Sequence, residues 1–241
     1  MMLGARTAAW AKSGSPTPAA YGGLRFTAEA DNSTVQLTAV GSAPAVTLVK
    51  SFDGVNWEDY TVGDVIELPS IGDFVYLAAG ENGNETFGSS ASNYHKFVIN
   101  GLVAASGDIT SILNFDCAQT TLAGRCYNSM FYGCTGLTSA PELPATTLAA
   151  GCYNNMFRGC TGLTSAPELP ATTLANSCYN NMFYGCVQLS LIKVHFTAWG
   201  SQTSKWVSNL TSTGTFYKPS ALSEEFGVSK IPTGWTVVNI D

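Results

Sequence analysis

The sequence predicts a mixed α+β fold, an N-terminal immunoglobulin-like β-sandwich followed by a short leucine-rich-repeat solenoid with a C-terminal cap. Three observations predict it. Residues 24–107 alternate apolar and polar side chains between turn signals, as antiparallel strands do. In residues 108–189 a 26-residue block recurs, and this period lies inside the ~20–29-residue range of leucine-rich repeats. Residues 190–241 follow the last copy and are predicted to cap the stack.

The first domain, residues 24–107, consists of short strand-like runs. Leu24, Phe26 and Ala28 alternate with polar residues. The other runs are VQLTA (35–39), AVTLVKS (45–51), DVIELP (64–69), DFVYLAA (73–79) and YHKFVING (94–101). Gly, Asn and Asp separate the runs, which predicts an antiparallel sandwich with Trp57 and Tyr60 in its core or at its rim.

The repeats are nearly identical. The blocks at 126–151 and 152–177 differ at four positions, a degenerate copy precedes them, and a truncated copy starts at Cys178. Equivalent positions of stacked repeats contact each other, so one well-packed residue serves every copy. The leucine, methionine and phenylalanine positions are therefore expected to form buried columns, namely Leu137/Leu163/Leu189, Met130/Met156/Met182 and Phe131/Phe157/Phe183.

Each repeat is predicted to hold one short helix. Leu148, Cys152 and Met156 are spaced i, i+4, i+8, which places them on one helical face. Thr147 is a suitable N-cap, and Gly159 lies where a left-handed C-terminal residue is expected. The proline-containing segment TSAPELP that follows cannot be helical and is predicted to be extended.

The seven cysteines are arranged as packing residues. Six of them form two columns with a 26-residue step, Cys126/Cys152/Cys178 and Cys134/Cys160/Cys186, and Cys117 stands apart. Such columns do not converge on the four ligands that a structural zinc ion requires, and no CxxC pair occurs. Buried free thiols are the expectation, with disulfides and metal binding as the alternatives.

Composition and motifs favour a protein without catalytic activity. The net charge is −6 with only 11 Lys and Arg, which disfavours nucleic acid as a partner, and no run approaches the length of a membrane span. No nucleophile, metal-protease or phosphate-loop motif occurs in a suitable context, so no enzyme, cofactor or metal is expected. His95 and His195 each lie alone in a strand-like run and are interpreted as structural.

The few differences between copies indicate an outer surface. One variable column, Tyr132/Arg158/Tyr184, follows the inward phenylalanine and is predicted to face solvent. An arginine between two tyrosines can stack by cation–π contact. The same three residues are also the candidates for contact with a ligand.

Four quoted motifs carry a resemblance to a known family. They are MFxGCxxL, APELPATTLA, the turn DGVNWEDY (53–60) and IPTGWTV (231–237). From about residue 24 onward the chain resembles the BspA-like 26-residue leucine-rich-repeat surface proteins, in the form also found in phages of gut bacteria. The resemblance implies a non-enzymatic, surface-displayed structural or adhesion protein with no catalytic residues to carry over.

Two settings are compatible with that resemblance. The favoured one is a phage virion decoration or head- or tail-fibre component on the virion surface, which binds host-cell or mucosal glycans or proteins. The alternative is an adhesin on the bacterial cell surface. The apolar patch around Ala8–Ala11 is shorter than the ~7–15 residues of a secretory signal, so standard export is not expected. Residues 1–23 are interpreted as an arm that docks to other virion proteins. The sequence is compatible with a monomer or a homo-oligomer.

Overall fold

The structure, a computed structural model, describes residues 21–117 and 119–241, and these form twelve strands. The strands are β1 (Arg25–Ala28), β2 (Ser33–Val40), β3 (Leu48–Ser51), β4 (Glu58–Tyr60), β5 (Val65–Leu68), β6 (Phe74–Ala79), β7 (Tyr94–Asn100), β8 (Val103–Ser106), β9 (Leu137–Ser139), β10 (Leu191–Lys193), β11 (Thr215–Lys218) and β12 (Thr236–Asn239). Two single-turn 3-10 helices, Ile109–Ile112 and Ser201–Thr203, complete the regular structure of this part.

The predicted mixed α+β fold is wrong. Within the described ranges the regular structure is almost entirely β, and no α-helix is present. The predicted leucine-rich-repeat solenoid, with a helix capped by Thr147 and ended by Gly159 in each copy, is therefore wrong as well. Where that helix was expected, the chain forms consecutive tight turns.

Left-handed residues prevent the helix. Gly151, Asn155 and Gly159 all have positive φ, at 66°, 55° and 77°, and the equivalent residues of the neighbouring copies do too. A left-handed residue breaks an α-helix, and glycine and asparagine adopt this conformation at least cost. Because every fourth residue is left-handed, the segment forms a series of four-residue turns instead of an α-helix.

Two sheets, antiparallel except where β9 joins the larger one, form the N-terminal half. The order of the larger sheet is β4-β3-β6-β1-β8-β9, and that of the smaller one is β5-β2-β7. Their inner faces meet in a shared core, where the rings of Phe26 (β1) and Phe97 (β7) lie 4.8 Å apart. Alternation along each strand explains this, because residues two apart point to the same face. Tyr60 is buried as predicted.

The first repeat is joined directly to the larger sheet. Strand β9 belongs to the repeat and pairs in parallel with β8 through Val103 and Leu137. One continuous cluster of buried hydrophobic residues extends from Leu24 to Trp235. The predicted boundaries after residues 107 and 189 stay a prediction, but the core is continuous across both.

Turns of successive copies stack with a regular hydrogen-bond pattern. In the first copy, the N–H groups of Tyr127, Ser129 and Phe131 donate to carbonyls of the next copy at 2.8–2.9 Å. The N–H groups between them donate backward within their own turn, as Met130 does to the Tyr127 carbonyl at 3.2 Å. Successive N–H groups therefore alternate between a carbonyl of their own turn and a carbonyl of the next layer. This pattern satisfies the backbone hydrogen-bonding groups of a segment that is neither helix nor sheet.

Two aromatic columns run through the stack. The rings of Phe131, Phe157 and Phe183 follow one another at 5.4 and 5.8 Å and are almost parallel. A second column contains Tyr127, Tyr153 and Tyr179 at 5.8 and 6.0 Å. The predicted inward positions of phenylalanine, methionine and leucine are confirmed, since all nine side chains are fully buried.

Both ends of the stack are closed by residues that the repeat pattern does not contain. Phe97 of β7 stacks on Phe131 at 5.1 Å, and its N–H donates to the Met130 carbonyl. At the other end, the N–H of Phe183 donates to the Trp206 carbonyl at 2.9 Å. Residues 201–209 therefore form a further turn, with left-handed residues at Lys205 and Asn209. The parallel strands β10, β11 and β12 complete this end.

Candidate binding surface

The outer column stands beside the inner phenylalanine column, one residue further along each turn. The guanidinium carbon of Arg158 lies 5.7 Å from the ring centre of Tyr132 and 4.7 Å from that of Tyr184. Tyr132 is 40% exposed, and the other two side chains are half-buried. The structure thus brings together the three residues that the sequence singled out, and it confirms that they stack at the surface. We name them the tyrosine–arginine stripe.

The backbone turns fix the spacing of this stripe. The N–H groups of Tyr132, Arg158 and Tyr184 each donate to the carbonyl three residues earlier, at 3.0–3.1 Å. The residues that accept these bonds, Ser129, Asn155 and Asn181, are left-handed. Because every copy has the same turn, the three side chains leave the stack at the same angle. Asn155 Oδ1 also accepts a hydrogen bond from Arg158 at 3.4 Å.

A lysine from the sheet domain extends the stripe. Lys96 lies on β7, next to the Phe97 that stacks below the first repeat, and its ammonium group is 6.0 Å from the Tyr132 ring centre. Arg158 belongs to the layer on the other side of Tyr132, so the ring lies between two cations. Sequence reasoning missed Lys96, because the pairing of residue 97 with residue 131 is not visible in the repeat.

The cysteines are packing residues, and one column has a further role. All six column cysteines are buried, as predicted, and free. The thiols of Cys134, Cys160 and Cys186 donate to the carbonyls of the phenylalanines one layer below, at 3.2, 3.0 and 3.0 Å. A small side chain with a weak donor fits this position, and the spacing of the cysteines did not predict the bond.

Burial makes these thiols poor nucleophiles. Desolvation raises the pKa of Cys126, Cys134, Cys178 and Cys186 to about 12. A thiolate, and not a thiol, attacks electrophiles and binds metals. At neutral pH the column cysteines are therefore protonated and inert.

The two histidines occupy structural positions. His95 is buried, and its Nδ1 contacts the Phe87 carbonyl at 3.2 Å; desolvation lowers its pKa. His195 is half-exposed, and its Nε2 lies 2.5 Å from Glu168 Oε1. Lys193 contacts the same carboxylate oxygen at 2.9 Å, and this hydrogen bond is the main reason that the pKa of Glu168 is lowered. These contacts join the extended limb of one repeat to β10.

A concave surface, separate from the stripe, lies between the proline-containing limbs of the two complete repeats. A shallow cleft of about 380 Å³ runs between Pro141 and Pro167, and Glu142 and Glu168 line it. Its charged groups are acidic, in contrast to the stripe. In the described part of the chain, no group of three or more metal-binding side chains is close enough to share an ion.

The predicted N-terminal arm falls mostly outside the described residues, which begin at Tyr21. Tyr21 itself is anchored on the outer face of the larger sheet, with its ring 4.9 Å from Trp57 and 5.3 Å from Phe115. Trp57 therefore belongs to a small aromatic cluster on that face. Across residues 21–117 and 119–241, no helix is long and apolar enough to cross a membrane.

Comparison with known proteins found no match: no family model, no curated protein and no solved structure resembles this chain closely enough to report.

Proposed function

We propose that this chain is a non-enzymatic, surface-displayed structural and adhesion protein, a phage virion decoration or head- or tail-fibre component that binds host-cell or mucosal ligands. The observation that carries the proposal is the tyrosine–arginine stripe. Its side chains are exposed or half-buried, while the phenylalanine that precedes each of them is fully buried. The copies agree at the buried columns and differ at this outer one.

Rigidity of the support favours a binding role. Layer-to-layer hydrogen bonds of 2.8–3.1 Å fix each turn against the next, and the ring columns fill the interior. A surface held in this way loses little conformational entropy when a ligand binds. Aromatic and arginine side chains are also the residue types that carry most of the energy in interfaces.

The virion setting is supported by the sequence resemblance alone. The motifs MFxGCxxL and APELPATTLA in the repeats and IPTGWTV at residues 231–237 resemble those of surface proteins that occur on gut bacteria and in their phages. A bacterial cell-surface adhesin would use the same stripe, so the two settings differ in location and not in chemistry.

Fractionation separates the two settings. Lysates of the organism that produces the protein are resolved by density gradient into phage particles, cell envelopes and soluble protein, and each fraction is analysed by mass spectrometry. We expect the polypeptide in the particle fraction, in constant ratio to the major capsid protein. Recovery in the envelope fraction would identify an adhesin instead, and recovery only among soluble proteins would overturn surface display.

A further inference from the structure

Charge is distributed unevenly along this chain. Residues 117–223 contain five Lys or Arg against two carboxylates, although the whole chain has a net charge of −6. Both carboxylates, Glu142 and Glu168, lie on the extended limbs, where they line the proline cleft. The turns of the repeats hold cations and no acidic residue. The sequence therefore contained a signal for a basic face, in the form of charge segregation.

Three cations on or near the stripe have no carboxylate partner among the residues that the structure describes. Within the described ranges, Lys96, Arg158 and Lys205 form no ion pair, whereas Lys50, Lys193 and Lys230 each do. Arg158 makes a long hydrogen bond to Asn155, and Lys205 is exposed. Cations without a carboxylate partner attract anions, and the attraction weakens with salt.

The cations follow one another in register with the layers. Lys96 lies one layer before Tyr132 and Arg158 one layer after it, whereas Lys205 takes the position of Asn155 and Asn181 in the last turn, where Ser208 holds the position of the stripe. Successive layers are separated by 5.4–5.8 Å, as the phenylalanine rings show. Successive cations of the three therefore lie two layers apart, a spacing that suits a chain with an acidic group on every second sugar unit. Hydroxyls and amides between the cations supply hydrogen bonds of the kind that sugar hydroxyls make.

Ring orientation favours a glycan over a single-stranded nucleic acid. Bases bind such proteins by stacking on open aromatic faces. Here Lys96 and Arg158 lie over the two faces of Tyr132, and Arg158 covers one face of Tyr184. One face of Tyr184 and the edges and hydroxyl groups of both tyrosines remain for the ligand, which leaves no run of open rings on which successive bases could stack.

We infer that the face formed by Lys96, Tyr132, Arg158, Tyr184 and Lys205 binds an acidic glycan, with carboxylate or sulfate groups on the cations and sugar hydroxyls on the tyrosines and asparagines. The inference rests on the proposed adhesive function and names the ligand class of the same surface. Guanidinium binds carboxylate and sulfate through paired hydrogen bonds, so Arg158 is the central contact.

Binding of the full chain to defined polysaccharides tests the inference. Hyaluronate serves as the carboxylated probe, heparin as the sulfated probe, dextran as the neutral control and oligothymidylate as the nucleic-acid control, all measured by surface plasmon resonance at several salt concentrations. We expect salt-sensitive binding of hyaluronate, heparin or both, and no binding of dextran. The preferred probe identifies the anionic group.

Matched charge variants assign the site. Arg158→Gln is expected to weaken binding roughly tenfold or more, as loss of a charge-assisted hydrogen bond implies. Lys50→Gln removes the same charge from β3 and is expected to bind like the wild type. Thermal melts confirm that both variants are folded, and the salt dependence of the wild type tests the inference without any substitution.

Three results would overturn the inference: equal losses in both variants, tighter binding of oligothymidylate than of either acidic glycan, or binding of neither acidic glycan. The particle fractionation described above does not depend on these probes. A chain that is found on particles and binds neither acidic glycan would therefore contradict the ligand class and leave the display function standing.

Discussion

Two columns of side chains stand one residue apart in the repeats and have opposite environments. Phe131, Phe157 and Phe183 are fully buried and stack on one another. The next residue in each turn faces solvent, and there the copies carry tyrosine, arginine and tyrosine. Residues of both columns contact their counterparts in the next layer, so the comparison shows that stacking imposes identity where the stacked position is also buried. The outer column tolerates change because solvent, and not a fixed neighbour, occupies much of its surroundings.

Alkaline pH is expected to have the largest effect on the inner columns. Desolvation raises the pKa of buried thiols such as Cys126 and Cys134 from 9.0 to about 12. The folded state therefore keeps protons that the unfolded chain releases, and the stabilisation is full below about pH 9 and is lost as the pH rises toward 12. In this window each such thiol lowers the free energy of unfolding by about 1.4 kcal/mol for every unit that the pH rises.

Urea denaturation under reducing conditions, from about pH 8 to about pH 11, measures this loss. Cys134→Ala is the control, and it should make the decline less steep by the share of one thiol. A free energy of unfolding that stays constant above pH 9 would show that the thiols do not differ between the folded and unfolded states.

Truncation of the inner column is expected to have the next largest effect. Phe157→Ala removes a ring that stacks on Phe131 and Phe183 and leaves a cavity between layers. It should lower the free energy of unfolding by about 3–5 kcal/mol. Arg158→Ala, one residue later, should cost less than about 1 kcal/mol, because only surface cation–π contacts and one long hydrogen bond to Asn155 are lost. Chemical denaturation of both variants checks the difference, and similar losses would contradict the contrast between the columns.

A smaller effect separates the two cysteine columns. Cys152 and Cys160 are both fully buried, but only the Cys160 thiol donates to a carbonyl, that of Phe131 at 3.0 Å, among the bonds found in the described residues. Alanine at either position leaves a similar cavity. Cys160→Ala should therefore cost about 0.5–1 kcal/mol more than Cys152→Ala, which equilibrium unfolding can resolve. Equal costs would mean that the thiol bond contributes nothing to stability.

The sequence predicted burial better than backbone conformation. The periodic positions of Phe157, Met156 and Cys152 were predicted to face inward, and all three do. The helix was wrong because a four-residue hydrophobic spacing fits both a helix and a coil of four-residue turns. The residues that decide between them are Asn155 and Gly159, which are left-handed and also four apart. Their spacing was visible, but the propensity of one asparagine for positive φ is too weak to identify the turn alone.

The outer stripe could be predicted because variation and position coincide there. Tyr132, Arg158 and Tyr184 follow the inward phenylalanines, so their outward direction followed from the repeat itself. Lys96 and Lys205 could not be placed, because the turns that bring them to the stripe lack the repeated letters. Residues 201–209 adopt the stacked turn with almost none of its sequence, since most of the hydrogen bonds that join them to the previous layer run between backbone groups, as from Phe183 N–H to the Trp206 carbonyl.

The layer-to-layer bonding has an evolutionary consequence. Each complete copy presents to the next one the same carbonyls and rings that it receives from the one before, as the bonds from Phe131 to Met156 and from Phe157 to Met182 show. A gene segment encoding 26 residues can therefore be duplicated or lost without creating an unmatched junction. Unequal recombination between the near-identical copies would lengthen or shorten the exposed face in whole steps, so lineages could adjust its reach without redesigning its interior.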